Sequence, residues 1–249
     1  MQRLQRLPPI SSRASIAKTS CPAAMTTFPT SSSSSDFEAR VASNLEFIRS
    51  RIADCGRDVD SVSIVAVTKT FTADAVRAAV ACGIAAVGEN YVNELVAKHQ
   101  EIDELTVSWQ FLGHIQTNKI PKILKSADVV AGVSRVVELE AFAQREAKNT
   151  LYLQVDFTNS AGRNGATPEL IPELASVARS LGLRLEGLMT VPPIDPLEAQ
   201  NAFRALGSLA DQLELPVRSM GMSDDFEAAC RLGSTEIRLG RALFGPRNP

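Results

Sequence analysis

The chain has 249 residues, 45% of them hydrophobic, and its formal net charge is −2. This length is normal for a single α/β barrel, although it exceeds the size of an average domain. The charge is uneven: residues 1–35 hold four basic residues and no acid, so residues 36–249 carry 22 basic and 28 acidic residues. An acidic body argues against nucleic-acid binding, which needs a basic face. No apolar run reaches the length of about 18 residues that a membrane span requires.

The cysteines and histidines exclude a zinc site of regular spacing. The four cysteines are not arranged in any CxxC pair, and the chain has only two histidines. Because zinc sites in sequence show closely spaced ligand pairs, we predict no metal centre. Unpaired cysteines are typical of reduced thiols in an intracellular protein.

Residues 1–35 differ in composition from the rest and are expected to be a disordered extension. They are basic and serine-rich, with an unbroken serine run from Ser31 to Ser35. One interpretation is a transit peptide, which would direct the protein to an organelle. The other is a disordered or mis-started N-terminus, with Met25 as the true start and a cytoplasmic location. Residues 36–249 form the predicted domain.

The hydrophobic pattern of residues 36–249 predicts one extra N-terminal helix followed by about eight β/α units. The helix begins at Asp36 and repeats apolar residues at helical spacing, from Val41 to Ile52. Strict alternation of strands and helices implies a parallel sheet. Eight units favour a closed single (β/α)₈ TIM barrel, with an open doubly wound sheet as the alternative. No GxGxxG sequence follows the first strand, which argues against a dinucleotide site.

Lys69 follows the first predicted strand, at the end where barrel enzymes gather their functional residues. Side chains alternate along a strand, so Lys69 shares a face with Val65 and Val67. If that face lines the lumen, the amine of Lys69 lies at the rim and desolvation favours its neutral, nucleophilic form. The alternative is a surface lysine whose amine reaches water.

The last predicted strand places two charges on one face, Glu236 and Arg238. Charges in a barrel lumen are costly unless they are paired or bind a ligand. One interpretation is a mutual ion pair inside the barrel. The other is that Arg238 faces a bound polar ligand.

Small and polar residues follow the predicted seventh and eighth strands, where barrels often bind phosphate. The first loop runs from Ser219 to Asp224, and the second begins with Gly240 and Arg241. Glycines let backbone N–H groups approach an anion closely. Ser223 and Asp224 also fit a simple helix cap.

Three further strand ends carry candidate residues. Asn90 follows the second strand, and His114 follows the third. His114 is either a general acid or base or a structural residue. Met189 ends the sixth strand and is expected to wall a pocket. A lysine, a phosphate cradle and an opposed arginine together suggest an aldehyde cofactor that bears a phosphate. A Schiff-base aldolase is the other chemistry that this set permits.

Several motifs resemble the pyridoxal phosphate homeostasis proteins, also called the YggS or PROSC family. The resemblance covers residues 36 to the C-terminus. It rests on Ala66-Val67-Thr68-Lys69, Gly88-Glu89-Asn90-Tyr91-Val92, the stretch from Trp109 to Lys119, Gly187-Leu188-Met189-Thr190, the stretch from Ser219 to Ala228 and the stretch from Gly233 to Gly245.

The resemblance implies the barrel of alanine racemase without that enzyme's second domain, with pyridoxal 5′-phosphate (PLP) as the cofactor. It implies that Lys69 forms a Schiff base with PLP and that Arg238 faces the pyridine nitrogen. Ser219, Gly240 and the backbone of Arg241 resemble the phosphate contacts. Asn90 and Met189 belong to family motifs near the cofactor.

The resemblance also implies a carrier that holds PLP and delivers it to apo-enzymes, without established catalytic turnover, and we expect the chain to be a monomer. The alternative is a PLP-dependent amino-acid racemase, which needs a second proton-transfer group that we do not find at a strand end. This sequence departs from the family pattern at Gln110, in place of a common histidine, and at Arg241, in place of a serine or threonine. Residues 162–165 replace a segment usually rich in lysine and serine.

Overall fold

The computed structural model describes residues 34–158, 160 and 162–246. Its strands are β1 Ser63–Val67, β2 Ala86–Glu89, β3 Ser108–Phe111, β4 Val129–Val133, β5 Thr150–Val155, β6 Leu185–Thr190, β7 Val217–Ser219 and β8 Glu236–Leu239. Its α-helices are α1 Ser34–Asp54, α2 Ala73–Ala81, α3 Val92–Glu101, α4 Ile120–Ser126, α5 Val136–Ala143, α6 Ile171–Ser180, α7 Pro196–Gln212, α8 Phe226–Arg231 and α9 Arg241–Phe244. The predictions for residues 1–33 lie outside the described residues.

The strands form a closed parallel barrel in sequence order, with β1 paired to β8. The predicted (β/α)₈ barrel with an extra N-terminal helix is therefore confirmed, and the open sheet is wrong. The register that closes the barrel pairs Val65 with Arg238. Parallel strands all end at the same rim, so the residues after each strand meet there.

Helix α1 begins at Ser34, two residues before the predicted start, and packs on α2, α8 and α9. Its periodic apolar residues are fully or almost fully buried, as their spacing predicts: Val41, Leu45, Ile48 and Ile52. The helix also makes a bidentate ion pair, because Arg51 donates to both carboxylate oxygens of Glu227 at 2.8 and 2.7 Å. The extra helix thereby ties the beginning of the barrel to its end.

Several helices differ from their predicted bounds in the first turn. Short 3₁₀ turns at Thr117–Lys119 and Pro168–Leu170 precede α4 and α6, where the hydrophobic pattern predicts continuous helices over residues 117–124 and 168–180. Helix α3 begins at Val92, so Asn90 lies in the loop that precedes it.

Two apolar layers surround the strands. The larger layer packs between the barrel and the helices, and it includes Ala66, Val87, Phe111, Leu153 and Leu188. The smaller layer fills the lumen with Val129, Ala131, Tyr152 and Met189. Successive side chains of a strand alternate between these layers. Every second side chain of each strand therefore faces the lumen, as far as the rim.

Candidate functional site

A cavity of about 400 Å³ opens at the carboxyl ends of the strands. It contains six of the seven residues that we predicted for the site: Lys69, Asn90, Met189, Arg238, Gly240 and Arg241. The remaining lining residues are Val67, Leu112, Val191, Met222, Ser223 and Asp224. Residues distant in sequence thus converge at the rim, as the barrel topology requires.

Lys69 lies two residues beyond the end of β1 and is partly exposed. Val65 and Val67, on the same face of the strand, are buried. The stem of Lys69 therefore continues a lumen-facing apolar row, and its side chain lines the cavity. A partly exposed lysine in an open cavity remains accessible to a ligand from solvent.

Arg238 is buried in the lumen, at 5% exposure, and three hydrogen bonds fix its guanidinium. Its Nη1 donates to the carbonyl oxygen of Ser219 at 2.6 Å and to the Ser219 hydroxyl at 2.7 Å. Its Nη2 donates to the carbonyl oxygen of Thr190 at 2.6 Å. Burial lowers the pKa of Arg238, against the opposing carboxylates of Glu236 and Asp225. An arginine remains protonated despite such a shift, so a cation faces the cavity.

The mutual ion pair between Glu236 and Arg238 that we considered does not form. Among the ion pairs of the described residues, none joins these two side chains. Glu236 instead accepts a hydrogen bond from Nε2 of Gln110, at 2.7 Å. The departure at Gln110 thus places a neutral donor beside Glu236, deep in the lumen. Arg238 is held by neutral oxygens, which leaves its charge uncompensated by a contacting carboxylate.

Ser219 is fully buried and does not line the cavity, so the structure does not place it where a phosphate contact is expected. Its hydroxyl is used by Arg238. Ser223, four residues later, does line the cavity, and its Oγ accepts a hydrogen bond from the backbone N–H of Ala242 at 3.1 Å. This contact joins the loop after β7 to the first turn of α9. Ser223 is not the N-cap residue of α8, because Asp225 occupies that position.

The loop after β7 needs glycine at position 221. Gly221 has a positive φ of 102°, and a Cβ there would lie 2.7 Å from Cβ of Ala229. The loop is tightened further by Asp225, whose carboxylate accepts from the backbone N–H of Met222 at 2.6 Å. Burial raises the pKa of Asp225, against that hydrogen bond and the charge of Arg238. The loop is therefore rigid where it presents Ser223.

The loop after β8 presents Gly240 and Arg241 to the same cavity. A Cβ at Gly240 would lie 3.3 Å from the carbonyl oxygen of Val67, so a larger residue would crowd β1. The guanidinium of Arg241 pairs with the carboxylate of Asp224 and both side chains are exposed. This exposed pair bridges the two loops at the mouth of the cavity.

Other candidates lie apart from Lys69. His114 is exposed and lines a separate depression with Tyr91 and Lys119, next to Asn90. A larger depression of about 640 Å³ lies beside the mouth, between the loop after β5 and the start of α7. Its described lining residues include Arg163, Asp195 and Glu198 but no lysine, so none of them offers an amine for imine chemistry.

Two features of the described residues concern metal ligands and membrane-spanning helices. Within residues 34–246 as described, no group of three or more metal-ligating side chains comes together. None of the described helices combines the length and the apolar character needed to cross a bilayer.

Our site prediction missed several lining residues, and Ser223 is the most informative of them. The sequence contains its signal, since Ser223 lies in the loop after β7 that we selected for phosphate. We chose Ser219 from the family motif. Only the fold shows that Ser219, the last residue of β7, directs its hydroxyl toward Arg238. Val67 was on the lumen face that alternation predicts. Leu112, Val191 and Met222 carry no chemical signal in sequence.

Comparisons with known proteins agree with this geometry. The family model described as "Alanine racemase, N-terminal domain" matches residues 38–248. Two solved structures of alanine racemases, from Clostridium difficile and E. faecalis, have the same fold at TM-scores of 0.67 and 0.66, with 15% and 19% identity. This chain covers 57% and 59% of those two chains, so it matches one part of the racemases.

More similar proteins match over almost their whole length. The pyridoxal phosphate homeostasis protein of Pseudomonas aeruginosa is 38% identical over 84% of this chain and 96% of its own length. The Aquifex aeolicus protein of the same name is 31% identical, over 84% of this chain and 97% of its own. The structure of PipY from Synechococcus elongatus with PLP bound is 30% identical, at a TM-score of 0.72, over 82% of this chain and all of PipY. On this similarity, over the domain that carries Lys69 and Arg238, the chain belongs to the family of pyridoxal phosphate homeostasis proteins.

Proposed function

We propose that this chain binds PLP, held as a Schiff base on Lys69, and acts in the homeostasis and delivery of the cofactor. The observation that carries the proposal is the convergence of Lys69, Arg238, Ser223 and the Gly240–Arg241 backbone in one cavity. Relatives that share this domain bear the name pyridoxal phosphate homeostasis protein, and PipY was solved with PLP.

The residues that line the cavity offer partners for the aldehyde and for the phosphate of PLP. Lys69 supplies a primary amine for the aldehyde. Ser223 and the backbone of Gly240 and Arg241 supply hydrogen-bond donors for the phosphate, at the loops that bind phosphate in many barrels. Asn90 and Met189 line the remaining wall. The site is open at the mouth, which suits exchange of the cofactor better than reactions that need water excluded.

Arg238 is the residue available for the pyridine nitrogen, and it supports a role without turnover. When bound, PLP supplies an electron sink that is strongest with its ring nitrogen protonated. A fixed guanidinium disfavours protonation of a neighbouring basic nitrogen. Arg238 cannot move away easily, since three hydrogen bonds hold it. The chain therefore binds the cofactor in a form that is poorly suited to carbanion chemistry.

A racemase would need a second proton-transfer group across the cavity from Lys69. Neither of the chain's two tyrosines is in position. Tyr91 is exposed and lines the neighbouring depression. Tyr152 is buried in the lumen, where burial raises its pKa far above the ordinary value. This distribution favours the carrier over the racemase alternative.

The finer parts of the proposal concern partners and location. We infer that apo-enzymes that use PLP receive it from this protein and that the chain acts as a monomer in the cytoplasm. If residues 1–35 are a transit peptide, the location is an organelle instead. The proposal includes neither nucleic acid nor a membrane as a partner; nucleic acid needs a basic face, and residues 36–249 carry 22 basic and 28 acidic residues.

The test is a spectral titration with PLP followed by a transfer assay. The wild type is expected to develop the absorbance band of a protein-bound imine, and Lys69→Ala is expected to lack it. Loaded wild-type protein should then activate a PLP-requiring apo-enzyme, and added amino acids should keep their chirality. Identical spectra of wild type and Lys69→Ala would refute cofactor binding at Lys69. Racemisation by the wild type, lost in Lys69→Ala, would instead support the enzyme.

A further inference from the structure

A group of three charged side chains, two of them buried and the third, Glu94, partly exposed, lies next to the strand end that carries Lys69. Nζ of Lys98 lies 2.7 Å from Oε1 of Glu89 and 3.0 Å from Oε2 of Glu94. Lys98 is 6% exposed and Glu89 is fully buried. We call these three residues the Lys98 cluster. Glu89 ends β2 while Glu94 and Lys98 belong to α3, and none of the three is among the described lining residues of the Lys69 cavity.

The Lys98 cluster binds the backbone on both sides of Lys69. On one side, Nζ of Lys98 donates to the carbonyl oxygen of Thr68 at 2.8 Å. On the other side, the backbone N–H of Thr70 donates to Oε2 of Glu94 at 2.8 Å. These are the two peptide groups that flank the Cα atom of Lys69. With both peptides held, the direction of the Cα–Cβ bond of Lys69 is fixed.

A third contact holds the same strand end through a side chain. The Thr68 hydroxyl donates to Oε1 of Glu89 at 2.6 Å, and Thr68 is fully buried. Glu89 therefore accepts from both Thr68 and Lys98. Charge-assisted hydrogen bonds of this kind are shorter and stronger than those between neutral groups.

The backbone next to Lys69 needs such an anchor. Thr70 has a positive φ of 67°, which is a costly conformation for a β-branched residue. Such a residue keeps a strained conformation only where its surroundings impose it. The hydrogen bond from Thr70 N–H to Glu94 is a contact that does so. The strain lies one residue from the proposed ligand-binding amine, where a small rotation would redirect the Lys69 side chain.

The ionisation of the two acids is consistent with this anchoring. Burial raises the pKa of Glu94, but the hydrogen bonds from Thr70 and Lys98 outweigh it and the net pKa is lowered. Glu94 is therefore a charged acceptor near neutral pH. Burial raises the pKa of Glu89, against the hydrogen bonds from Lys98 and Thr68.

We propose that the Lys98 cluster is a positioning device for Lys69: it clamps the two flanking peptides and thereby aims the amine into the cavity. This inference rests on the proposed function only for the identity of the ligand. It assigns Glu94 and Lys98 a role in cofactor binding, although neither lines the cavity. Glu94 is the residue to test, because it carries the contact to the strained Thr70.

The experiment compares Glu94→Ala, Glu94→Asp and Glu94→Gln in full-length protein. Alanine removes the acceptor and aspartate withdraws it by one methylene, whereas glutamine keeps an oxygen for Thr70 and Lys98. We expect the dissociation constant for PLP to rise about tenfold in the first two variants, the factor expected for one hydrogen bond to a charged group. Glu94→Gln should raise the dissociation constant less than Glu94→Ala, because its neutral oxygen still accepts from Thr70 and Lys98 but without the charge. Thr70→Gly added to Glu94→Ala should recover part of the loss, because glycine adopts a positive φ without strain.

Two further features make the outcome specific. The control is Glu138→Gln, which alters another fully buried carboxylate that accepts from backbone N–H groups, at Ser134 and Arg135. It should leave the dissociation constant unchanged. The second readout needs no cofactor: reductive methylation of the apo-protein, followed by mass spectrometry, gives the pH profile of Lys69 relative to the exposed Lys122. In Glu94→Ala this profile should shift toward that of Lys122.

The outcomes separate the two proposals. If the wild type forms no PLP adduct, the proposed function fails, while the methylation profiles still test the positioning role. The positioning role is overturned if Glu94→Ala and Glu94→Asp keep both the wild-type dissociation constant and the wild-type Lys69 profile. It is overturned equally if Glu138→Gln weakens PLP binding as much as Glu94→Ala does. If Glu94→Ala fails to fold, the milder Glu94→Asp gives the decision.

Discussion

The guanidinium of Arg238 donates to both the carbonyl oxygen and the hydroxyl oxygen of Ser219, at 2.6 and 2.7 Å. One serine thus accepts two hydrogen bonds from the same nitrogen of a buried cation, through its carbonyl oxygen and its hydroxyl, and so orients the guanidinium. Ser219 and Arg238 come from neighbouring strands, β7 and β8, so the barrel itself sets their separation. This relationship divides the two serines of the site: Ser219 supports Arg238, and Ser223 faces the cavity.

Because Ser219 and Ser223 have different partners, replacing each by alanine should change the affinities for PLP and for pyridoxal differently. Ser223→Ala should weaken binding of PLP about tenfold and leave binding of pyridoxal, which lacks the phosphate, unchanged. Ser219→Ala should weaken both ligands alike, by about fivefold, because it loosens Arg238 and not the phosphate contact. Titrating each variant with both ligands checks this.

The opposite pattern would reverse the assignment. If Ser219→Ala loses affinity for PLP alone while Ser223→Ala binds normally, Ser219 contacts the phosphate and its hydroxyl leaves Arg238 when ligand binds. Ser219 as the phosphate contact is the assignment that the family resemblance implies.

The loop after β7 is predicted to be intolerant of a side chain at position 221. Gly221→Ala places a Cβ 2.7 Å from Cβ of Ala229 and 3.1 Å from Cα of Phe226, at a φ of 102°. Strain and overpacking together should lower the free energy of unfolding by about 3 kcal/mol. The matched control is Gly56→Ala, where φ is 74° but no atom lies within 4 Å. There we expect only the backbone cost of about 1 kcal/mol. Equal losses in the two variants, measured by denaturant unfolding, would argue against crowding at Gly221.

The ion pair that ties α1 to α8 predicts a pH-dependent contribution to stability. The hydrogen bonds and charge of Arg51 lower the pKa of Glu227 below its ordinary value. A lowered native pKa means that the contribution is complete above the pKa of the unfolded chain and is lost as pH falls through the native pKa. Glu227→Gln should therefore lower the melting temperature slightly near pH 7, and the difference from wild type should disappear in acid. A difference that persists unchanged at low pH would show that the carboxylate charge is not responsible.

The sequence predicts the parts of this structure that depend on period and order. Alternation along β1 and β8 correctly assigns Val65, Val67 and Arg238 to the lumen, and parallel topology brings Lys69 and Gly240 to one rim. The predicted bounds of helix α7, residues 196–212, and of strands β7 and β8, residues 217–219 and 236–239, are those of the structure, because proline, glycine or polar residues mark their ends.

The remaining features depend on contacts that no local pattern encodes. Glu89, Glu94 and Lys98 appear in sequence as a polar loop and a helix with a polar face. Glu94 and Lys98 are four residues apart and pair along one face of α3, but only the packing of α3 against β2 brings Glu89 within 2.7 Å of Lys98. The positive φ of Thr70 is hidden for the same reason, since threonine is not expected there. The sequence likewise left two possible partners for Arg238, Glu236 and a ligand. The observed acceptors, Ser219 and Thr190, depend on the conformation of the arginine side chain, which the sequence does not reveal.

The amine of Lys69 is the proposed attachment point of the cofactor, and chemical trapping of the bound cofactor identifies the lysine involved. Wild-type protein is loaded with PLP, reduced with borohydride to fix any imine, digested and mapped by mass spectrometry. We predict one reduced pyridoxyl-phosphate adduct, on the peptide that contains Lys69. An adduct on a different lysine, or none on a protein that remains folded, would contradict this account.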